Sequence, residues 1–295
     1  MVMMKGLKGM AMMKPQSLIP FRNASASAIA SPYNPRDDRY HLDMINLNEK
    51  TFAYLLNKAK EFSLIRNDKE QGNRDIRSRM NLEKGMVLFK NYVSVSEQVE
   101  IVNTCQKFGM GPGGFYRPVT RAGRRKNFQM MCFGRNWDPI TRYDWKHRSD
   151  GSEAPPIPNH LLLLAVKSIL RAHDSYMPLM DPDICIVKFY TTTIGKLRLR
   201  QDRDEGRSSL EGGLPVVSVT IGDSVRFVYS YTGDMAHAKE ITLQSGDVLI
   251  FGGESRHIYH GIKKIIPESA PFSLLQQTNL VPGSLNLTFK DYSLD

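Results

Sequence analysis

Acidic residues are absent from the first 36 positions of this 295-residue chain, which are rich in Met, Ser and Ala and carry only basic charges. An acid-free, basic and Ser-rich beginning is typical of an organellar transit peptide. Prolines at positions 15, 20 and 32 also fit an unfolded basic tail. Residues 1–36 therefore leave the compartment open: mitochondrion or chloroplast if they are a transit peptide, nucleus or cytoplasm if they are a tail.

Cysteine is scarce, and long apolar runs are missing. The three cysteines, Cys105, Cys132 and Cys185, are odd in number and unrelated in spacing, which excludes a cysteine metal box and a disulfide framework. Free thiols in a reducing compartment are the simplest interpretation. No apolar stretch reaches the roughly 18 residues that a membrane-spanning helix needs, so no membrane partner is expected.

Basic charge is in excess, with a formal net charge of +10 and a pI near 9.4. This balance favours a polyanionic partner, nucleic acid first, although a charge excess that serves only solubility is the alternative. The sequence indicates no protein partner.

The basic residues concentrate between Arg117 and Arg148, where nine Lys and Arg stand against Asp138 and Asp144. Aromatic residues alternate with them, and flat rings stack on bases while cations hold phosphates. The segment predicts contact with single-stranded or locally unpaired DNA or RNA, or else a solvated hairpin with some core aromatics. The candidate contacts are Arg124, Arg125 and Lys126; the aromatics are Phe128, Phe133, Trp137, Tyr143 and Trp145.

The chain divides into three parts: a tail over residues 1–50, a helical patch and charged linker over 51–81, and a folded domain over 82–295. Apolar spacing predicts a helix at Phe52–Phe62 and another at Pro158–His173. Ser94 and Glu97 form a capping-box pattern, which predicts that a helix begins at Ser94 and runs to Gly109. The strands that follow predict an α+β domain with two packed sheets or a jelly roll. They are Ile184–Tyr190, Pro215–Ile221, Val225–Tyr231, Lys239–Leu243, Val248–Gly252, Arg256–His260 and Leu285–Phe289.

An incomplete metal-binding pattern lies on two of these segments. Asp202 and His260 supply two of the three ligands of the two-His-one-carboxylate triad that holds non-haem Fe(II). The second His belongs two residues before the Asp, on the same face of the strand, and that position is Arg200.

Arg keeps its proton in proteins, so an inward-pointing Arg200 repels a metal ion. At an effective dielectric near 20, a unit charge about 4 Å away costs roughly 4 kcal/mol, and a divalent ion doubles that figure. Alternatively, Arg200 pairs with Asp202 and takes the metal position itself. His257 is not expected to replace the missing ligand, because the predicted strand Arg256–His260 turns it away from His260.

Three segments closely resemble the AlkB family of Fe(II)/2-oxoglutarate dioxygenases, which demethylate nucleic acids, and resemble its plant members most. They are QDRDE at 201–205, GDVLIFGGESRHIYHGI at 246–262 and LNLTFK at 285–290. The resemblance extends from about Lys84 to the end of the chain. It implies a double-stranded β-helix (jelly roll) core with flanking N-terminal helices, and Fe(II) and 2-oxoglutarate as cofactors.

Transferred position by position, the resemblance implies a degenerate site. The family's ligand pair falls on Asp202 and His260, and its proximal His falls on Arg200. Ser284 replaces the arginine that grips 2-oxoglutarate, a loss on the order of 1.5–3 kcal/mol of charge-assisted pairing. At the other co-substrate positions, Tyr190 and Asn286 are retained, Lys188 replaces an asparagine and Lys290 replaces a second arginine. The substrate positions are Asp204, which matches a base-contacting acid, and Trp137 in the lid.

Two functional hypotheses follow from these residues. The first is a pseudoenzyme that binds nucleic acid and has weak or lost affinity for Fe(II) and 2-oxoglutarate. The second is an active or weakly active nucleic-acid demethylase that uses Asp202 and His260 as iron ligands, with water or Asp204 in the third position. A duplicate with no function is a third alternative.

Overall fold

The computed structural model describes residues 20–21, 57, 79–138, 142–143, 147–148, 150–172, 176–191 and 198–292. The predicted transit peptide, the helical patch at Phe52–Phe62 and the charged linker lie outside these residues, except for residues 20–21, 57 and 79–81, and the last of these belong to a strand rather than to a linker. Phe21 belongs to the segment predicted as a tail, yet it is buried, and its neighbour Pro20 accepts a backbone hydrogen bond from Val281 at 2.9 Å. This part of the predicted tail is therefore packed onto the domain.

Ten strands and four helices form the described domain. The strands are β1 (Arg79–Glu83), β2 (Met86–Phe89), β3 (Phe128–Gly134), β4 (Ile184–Tyr190), β5 (Val216–Gly222), β6 (Val225–Ser230), β7 (Lys239–Leu243), β8 (Val248–Phe251), β9 (Tyr259–Ile265) and β10 (Ser284–Lys290). The helices are α1 (Val95–Gly109), α2 (Asn159–Ala172), α3 (Arg207–Glu211) and α4 (Phe272–Gln277), and two short 3-10 turns lie at Met235–His237 and Gly253–Ser255.

The strands form two antiparallel sheets that face each other. The larger sheet has the order β1-β2-β8-β5-β10-β4-β3, and the smaller has the order β7-β6-β9. Apolar residues of both sheets meet between them, among them Leu88 and Phe251 from the larger and Phe227 from the smaller. This arrangement confirms the predicted jelly roll.

Helices α1 and α2 cover the outer face of the larger sheet. Helix α1 begins at Ser94, whose side chain accepts from the backbone of Glu97 while Glu97 reaches back, so the predicted capping box is confirmed. Helix α2 presents Leu161 and Leu162 fully buried against the sheet. Each such leucine contributes about 1.5–3 kcal/mol by leaving water. No helix in the described ranges is long and apolar enough to cross a membrane.

Strand β10 separates the helical core from the interior of the jelly roll. Leu285, Leu287 and Phe289 pack in the cluster that contains α1 and α2. The alternate residues, Ser284, Asn286, Thr288 and Lys290, therefore point to the other face, between the sheets. Because β10 pairs with β4 in the register Ser284 to Tyr190 and Asn286 to Lys188, the two strands line one wall of that interior.

Two predicted segments are wrong. The segment predicted as the strand Arg256–His260 begins directly after the 3-10 turn Gly253–Ser255 and is itself a turn at first, and β9 starts only at Tyr259. Gly253 has φ +52°, and an added Cβ would lie 1.9 Å from the carbonyl oxygen of Tyr176, so the chain turns sharply there. Strand β3 was missed inside the basic segment, because it is buried on both faces and shows no alternation of polar and apolar residues.

Candidate metal and co-substrate site

Arg200 lies directly opposite His260 at the open end of the jelly roll. The two residues exchange both backbone hydrogen bonds, at 3.0 and 2.9 Å. Residues paired in this way project their side chains to the same side, and Asp202 Oδ2 lies 4.0 Å from Nε2 of His260. The predicted common face of these three positions is therefore present in the backbone.

Asp202 does not take Arg200 as its partner. Arg200 is exposed, whereas the ammonium of Lys290 lies 2.9 Å from Asp202 Oδ2 and is 7% exposed. The expectation that Arg200 pairs with Asp202 and takes the metal position is wrong. The reason is position: Arg200 is at the solvent edge, where water solvates its charge, while Lys290 enters from the interior end of β10.

His260 keeps the orientation of a metal ligand. Its ring stacks on Phe227 at 5.7 Å and packs against Phe251 at 5.1 Å between ring centroids. Nδ1 lies 3.2 Å from the carbonyl oxygen of Ile258, which can only accept, so Nδ1 carries the hydrogen in this contact. Nε2 faces Asp202 Oδ2 at 4.0 Å. Burial, opposed by the charge of Asp202, lowers the pKa of His260.

A buried ionic cluster continues inward from Asp202. Glu205 accepts from Lys290 at 2.5 Å, from Arg256 Nη2 at 3.0 Å and from the Tyr143 hydroxyl at 3.1 Å. Arg256 also donates to the backbone oxygen of Asp202 at 2.9 Å. We call Asp202, Glu205, Arg256 and Lys290 the interior ionic cluster. Sequence reasoning missed Glu205 and Arg256 as members, although both lie within the segments that carry the family resemblance.

Charge pairing decides the ionisation of this cluster. Burial disfavours the carboxylate of Asp202, but Lys290 and then His260 outweigh burial and lower the pKa of Asp202. The same balance, with Lys290 as the main stabilising charge, lowers the pKa of Glu205. Burial likewise disfavours the ammonium of Lys290, but Asp202 and Glu205 raise its pKa. The cluster therefore holds two carboxylates and two cations.

These directions predict a pH dependence of stability. A carboxyl whose pKa is lowered by folding stabilises the fold above its unfolded pKa, about 3.9 for Asp, and loses that contribution as pH falls toward the folded pKa. The free energy of unfolding of Asp202→Asn should therefore lie below that of the parent at pH 6, with the gap narrowing steadily below about pH 4. Urea unfolding of both proteins between pH 3 and pH 7 measures this gap. A gap independent of pH would contradict the assignment.

The co-substrate positions on β4 and β10 are changed in chemistry. Ser284 Oγ, at the predicted arginine position, is buried and lacks a hydrogen-bond partner among the described residues. A neutral hydroxyl cannot replace the paired donors and charge of an arginine. Burial is the main cause that lowers the pKa of the Lys188 ammonium. The charge of Lys290 lowers this pKa further, and the charge of Asp202 acts against the shift.

The retained co-substrate residues are engaged within the protein. Asn286 donates to Ser218 Oγ at 2.8 Å and to the Val219 oxygen at 3.2 Å, and it accepts from Thr288 at 2.9 Å. The ring of Tyr190 packs on Phe128 at 5.4 Å. Burial raises the pKa of Tyr190, so its phenol stays neutral.

The residues present do not fit Fe(II) and 2-oxoglutarate. Within the described ranges no group of three or more His, Cys, Asp or Glu side chains is arranged to hold a metal. Only Asp202 and His260 face the ligand position, and one oxygen of Asp202 already accepts from Lys290. His257 is exposed in the turn before β9, so its position does not follow from the alternation of a strand.

Asp204, predicted to contact a base, is engaged by side chains of the segment predicted as the lid. Asp204 Oδ2 accepts from Trp137 Nε1 at 3.0 Å and from Arg142 Nη1 at 3.1 Å. Arg142 also exchanges two backbone hydrogen bonds with Asp138, at 3.1 and 3.0 Å. The predicted substrate residues Asp204 and Trp137 thus contact each other directly.

The basic segment divides into structural and surface cations. Arg135 pairs with Asp183 at 2.5 Å, and Arg148 is buried, pairs with Asp150 at 2.8 Å and lies over the ring of Tyr116. Arg124 and Arg125 are exposed on the loop before β3, and Lys126 is partly buried there. The loop cations, rather than the whole segment, are available to a ligand.

The interleaved aromatics mostly belong to the core. Phe133 is fully buried, and Tyr143 is buried and donates to Glu205. Phe128 packs on Tyr190, and Trp145 lies outside the described residues. Among the described members, only Trp137 remains on the lid as a candidate to meet a base.

Comparison with known proteins gives consistent matches. The model of the 2OG-Fe(II) oxygenase superfamily matches residues 85–290. The DNA N(6)-methyladenine demethylases ALKBH1D and ALKBH1C of Arabidopsis thaliana are 48% and 49% identical, over 72% of this chain and 50% and 49% of those proteins. The solved structure of OsALKBH1 is 43% identical with a TM-score of 0.67, and it covers 72% of this chain and 100% of that chain. The chain spans about half the length of the curated relatives it matches.

Proposed function

The chain belongs to the 2OG-Fe(II) oxygenase superfamily and to its AlkB-like family, and from this membership we propose that it binds nucleic acid without oxidising it. The observation that carries the proposal is the exposed Arg200 at the ligand position, beside an Asp202 already paired with Lys290 at 2.9 Å. With one ligand replaced by a permanent cation, the site offers a divalent ion two donors instead of three.

Three features support nucleic acid as the partner. The net charge is +10, and Arg124, Arg125 and Arg200 are exposed beside the lid and the site. The relatives ALKBH1D and ALKBH1C are named as DNA demethylases. A phosphate backbone is the ligand whose charge complements such a surface.

Metal analysis after anaerobic Fe(II) loading tests the loss of catalysis. The purified protein should retain less than about 0.1 equivalent of iron, because two donors and a neighbouring cation hold a divalent ion weakly. The double variant Asp202→Ala/His260→Ala is the control: parent and variant should retain the same amount. One equivalent bound by the parent alone, together with succinate release above an iron-free reaction, would instead establish the alternative, an active demethylase using Asp202 and His260.

A salt titration tests the binding half of the proposal. Affinity for a single-stranded oligonucleotide should fall steeply with salt, because phosphate contacts release counterions. Binding that is absent, or indifferent to salt, would remove nucleic acid as the partner.

A further inference from the structure

We propose that Lys126, Arg142 and Arg200 form a phosphate-binding cluster at the mouth of the jelly roll, which holds the backbone of single-stranded nucleic acid. The mouth is the solvent edge where Arg200 pairs with His260. This inference rests on the proposed function and specifies its contact site. It also gives the residue that replaced a metal ligand a role of its own.

Arg200 is fixed at the mouth by its backbone and free at its side chain. Its two backbone hydrogen bonds to His260, at 3.0 and 2.9 Å, set its position on the edge of the smaller sheet. The side chain is exposed and makes no ion pair within the part of the chain that the structure describes. A planar guanidinium held in this way has its donors available for the oxygens of a phosphate.

Lys126 approaches the same mouth from the larger sheet. It lies two residues before Phe128, which pairs with Tyr190 at the end of β4, and the Lys126 backbone donates to Pro118 at 2.8 Å. Its side chain is partly buried and makes no ion pair among the described residues. The ring of Phe128 packs on Tyr190, and Tyr190 packs in the same cluster as Phe227, which stacks on His260, so this loop lies at the end of the jelly roll where Arg200 is paired. Burial, and then the charges of Arg200 and Arg142, also lower the pKa of Lys126.

Arg142 completes the cluster from the lid. Its side chain is 52% exposed, and its pairing with Asp204 at 3.1 Å fixes its guanidinium near the site. Trp137 donates to the same oxygen of Asp204, and its ring is partly buried against the cluster around Met130. An aromatic ring beside a cation suits a nucleotide, because the ring stacks on a base while the cation holds the phosphate.

The charge balance of the mouth calls for an anion. Three cations face one carboxylate, Asp204, which Arg142 and Trp137 already occupy. Asp202 is turned inward to Lys290 and does not compensate Arg200. A phosphodiester supplies the negative charge that this surface lacks, and its oxygens are acceptors for all three side chains.

Salt-dependent binding of a fluorescent oligothymidylate tests the cluster. In single strands each phosphate contact contributes about 0.7 to the slope of log K against log salt, so Lys126→Gln/Arg142→Gln/Arg200→Gln should lower the slope by about 2. Affinity near 100 mM salt should fall about 100-fold. The matched control removes three exposed cations elsewhere, Arg207→Gln/Lys263→Gln/Lys264→Gln, and should change the slope by less than about 0.5.

Single variants separate charge from folding. Arg200→Gln should lower the slope by about 0.7, whereas Arg200→Lys, which keeps the charge, should leave it unchanged. Circular dichroism melting checks that each variant is folded. If the parent binds and the cluster variant equals the control variant, the cluster is overturned while the proposed function stands; if the folded parent does not bind at all, both are overturned.

Discussion

Arg200→His is expected to raise the affinity of the site for a divalent metal at least about 100-fold, without restoring turnover of 2-oxoglutarate. The backbone already places residue 200 opposite His260 and on the side of Asp202, so an imidazole there supplies the missing third donor. The change also removes a permanent cation, whose repulsion of a divalent ion is of the order of several kcal/mol at about 4 Å. Co(II) titration, followed by visible absorption, measures the gain.

The neighbouring residue offers a matched control for this prediction. Arg203→His removes the same charge from an exposed arginine, but position 203 has no backbone pairing with His260. Its affinity for Co(II) should stay within about threefold of the parent's, because distant exposed charges are screened. Equal gains from both variants would show that charge alone, and not a completed ligand set, controls metal binding.

Turnover should remain absent in Arg200→His because the co-substrate positions are still changed. Ser284 leaves no arginine for the far carboxylate, and its hydroxyl is buried without a partner in the described structure. Lys188 adds a cation beside Lys290. Succinate release is therefore expected only when Lys188→Asn and Ser284→Arg are added. Succinate release by Arg200→His alone would show that the missing metal ligand at position 200 is the only cause of lost turnover.

Much of the fold could be predicted from local sequence patterns. Strands Ile184–Tyr190 and Lys239–Leu243 have the predicted bounds, because β-branched and aromatic residues stand there between turn residues. The capping box at Ser94 starts its helix as predicted. Strand β3 could not be predicted in the same way, because residues buried on both faces carry no period of two.

Only the part of the site that depends on residues close together in the sequence could be predicted. Asp202 and Arg200 share a face because they are two residues apart, and that much follows from the sequence. The pairing of Asp202 with Lys290 joins residues 88 positions apart, and it depends on where the segment around Asp202 meets the end of β10, which no local pattern encodes. Arg256 was missed because it lies in a turn that was predicted as a strand, and a buried charge looks like a surface charge in a sequence.

Glu205→Gln is expected to lower the free energy of unfolding by about 3–5 kcal/mol, the range for breaking a buried ion pair by removing one partner. Glu205 and Arg256 side chains are 0% and 1% exposed, and Lys290 also donates to Glu205. The substitution keeps the size of the side chain and removes its charge, so two buried cations are left with Asp202 as the one carboxylate of the interior ionic cluster. Urea unfolding at pH 7 measures the loss.

The control for Glu205→Gln is Glu211→Gln, which breaks the surface pair between Arg207 and Glu211 on α3. That change should cost less than about 1 kcal/mol, because water and salt already screen an exposed pair. A second test is a double-mutant cycle that combines Glu205→Gln with Lys290→Met. Once Glu205 is neutral, removing Lys290 also removes an uncompensated charge. The loss of unfolding free energy in the double variant should therefore be smaller than the sum of the two single losses by about 1–3 kcal/mol. Strict additivity would mean that Glu205 and Lys290 stabilise the fold independently, and that the pair between them contributes little.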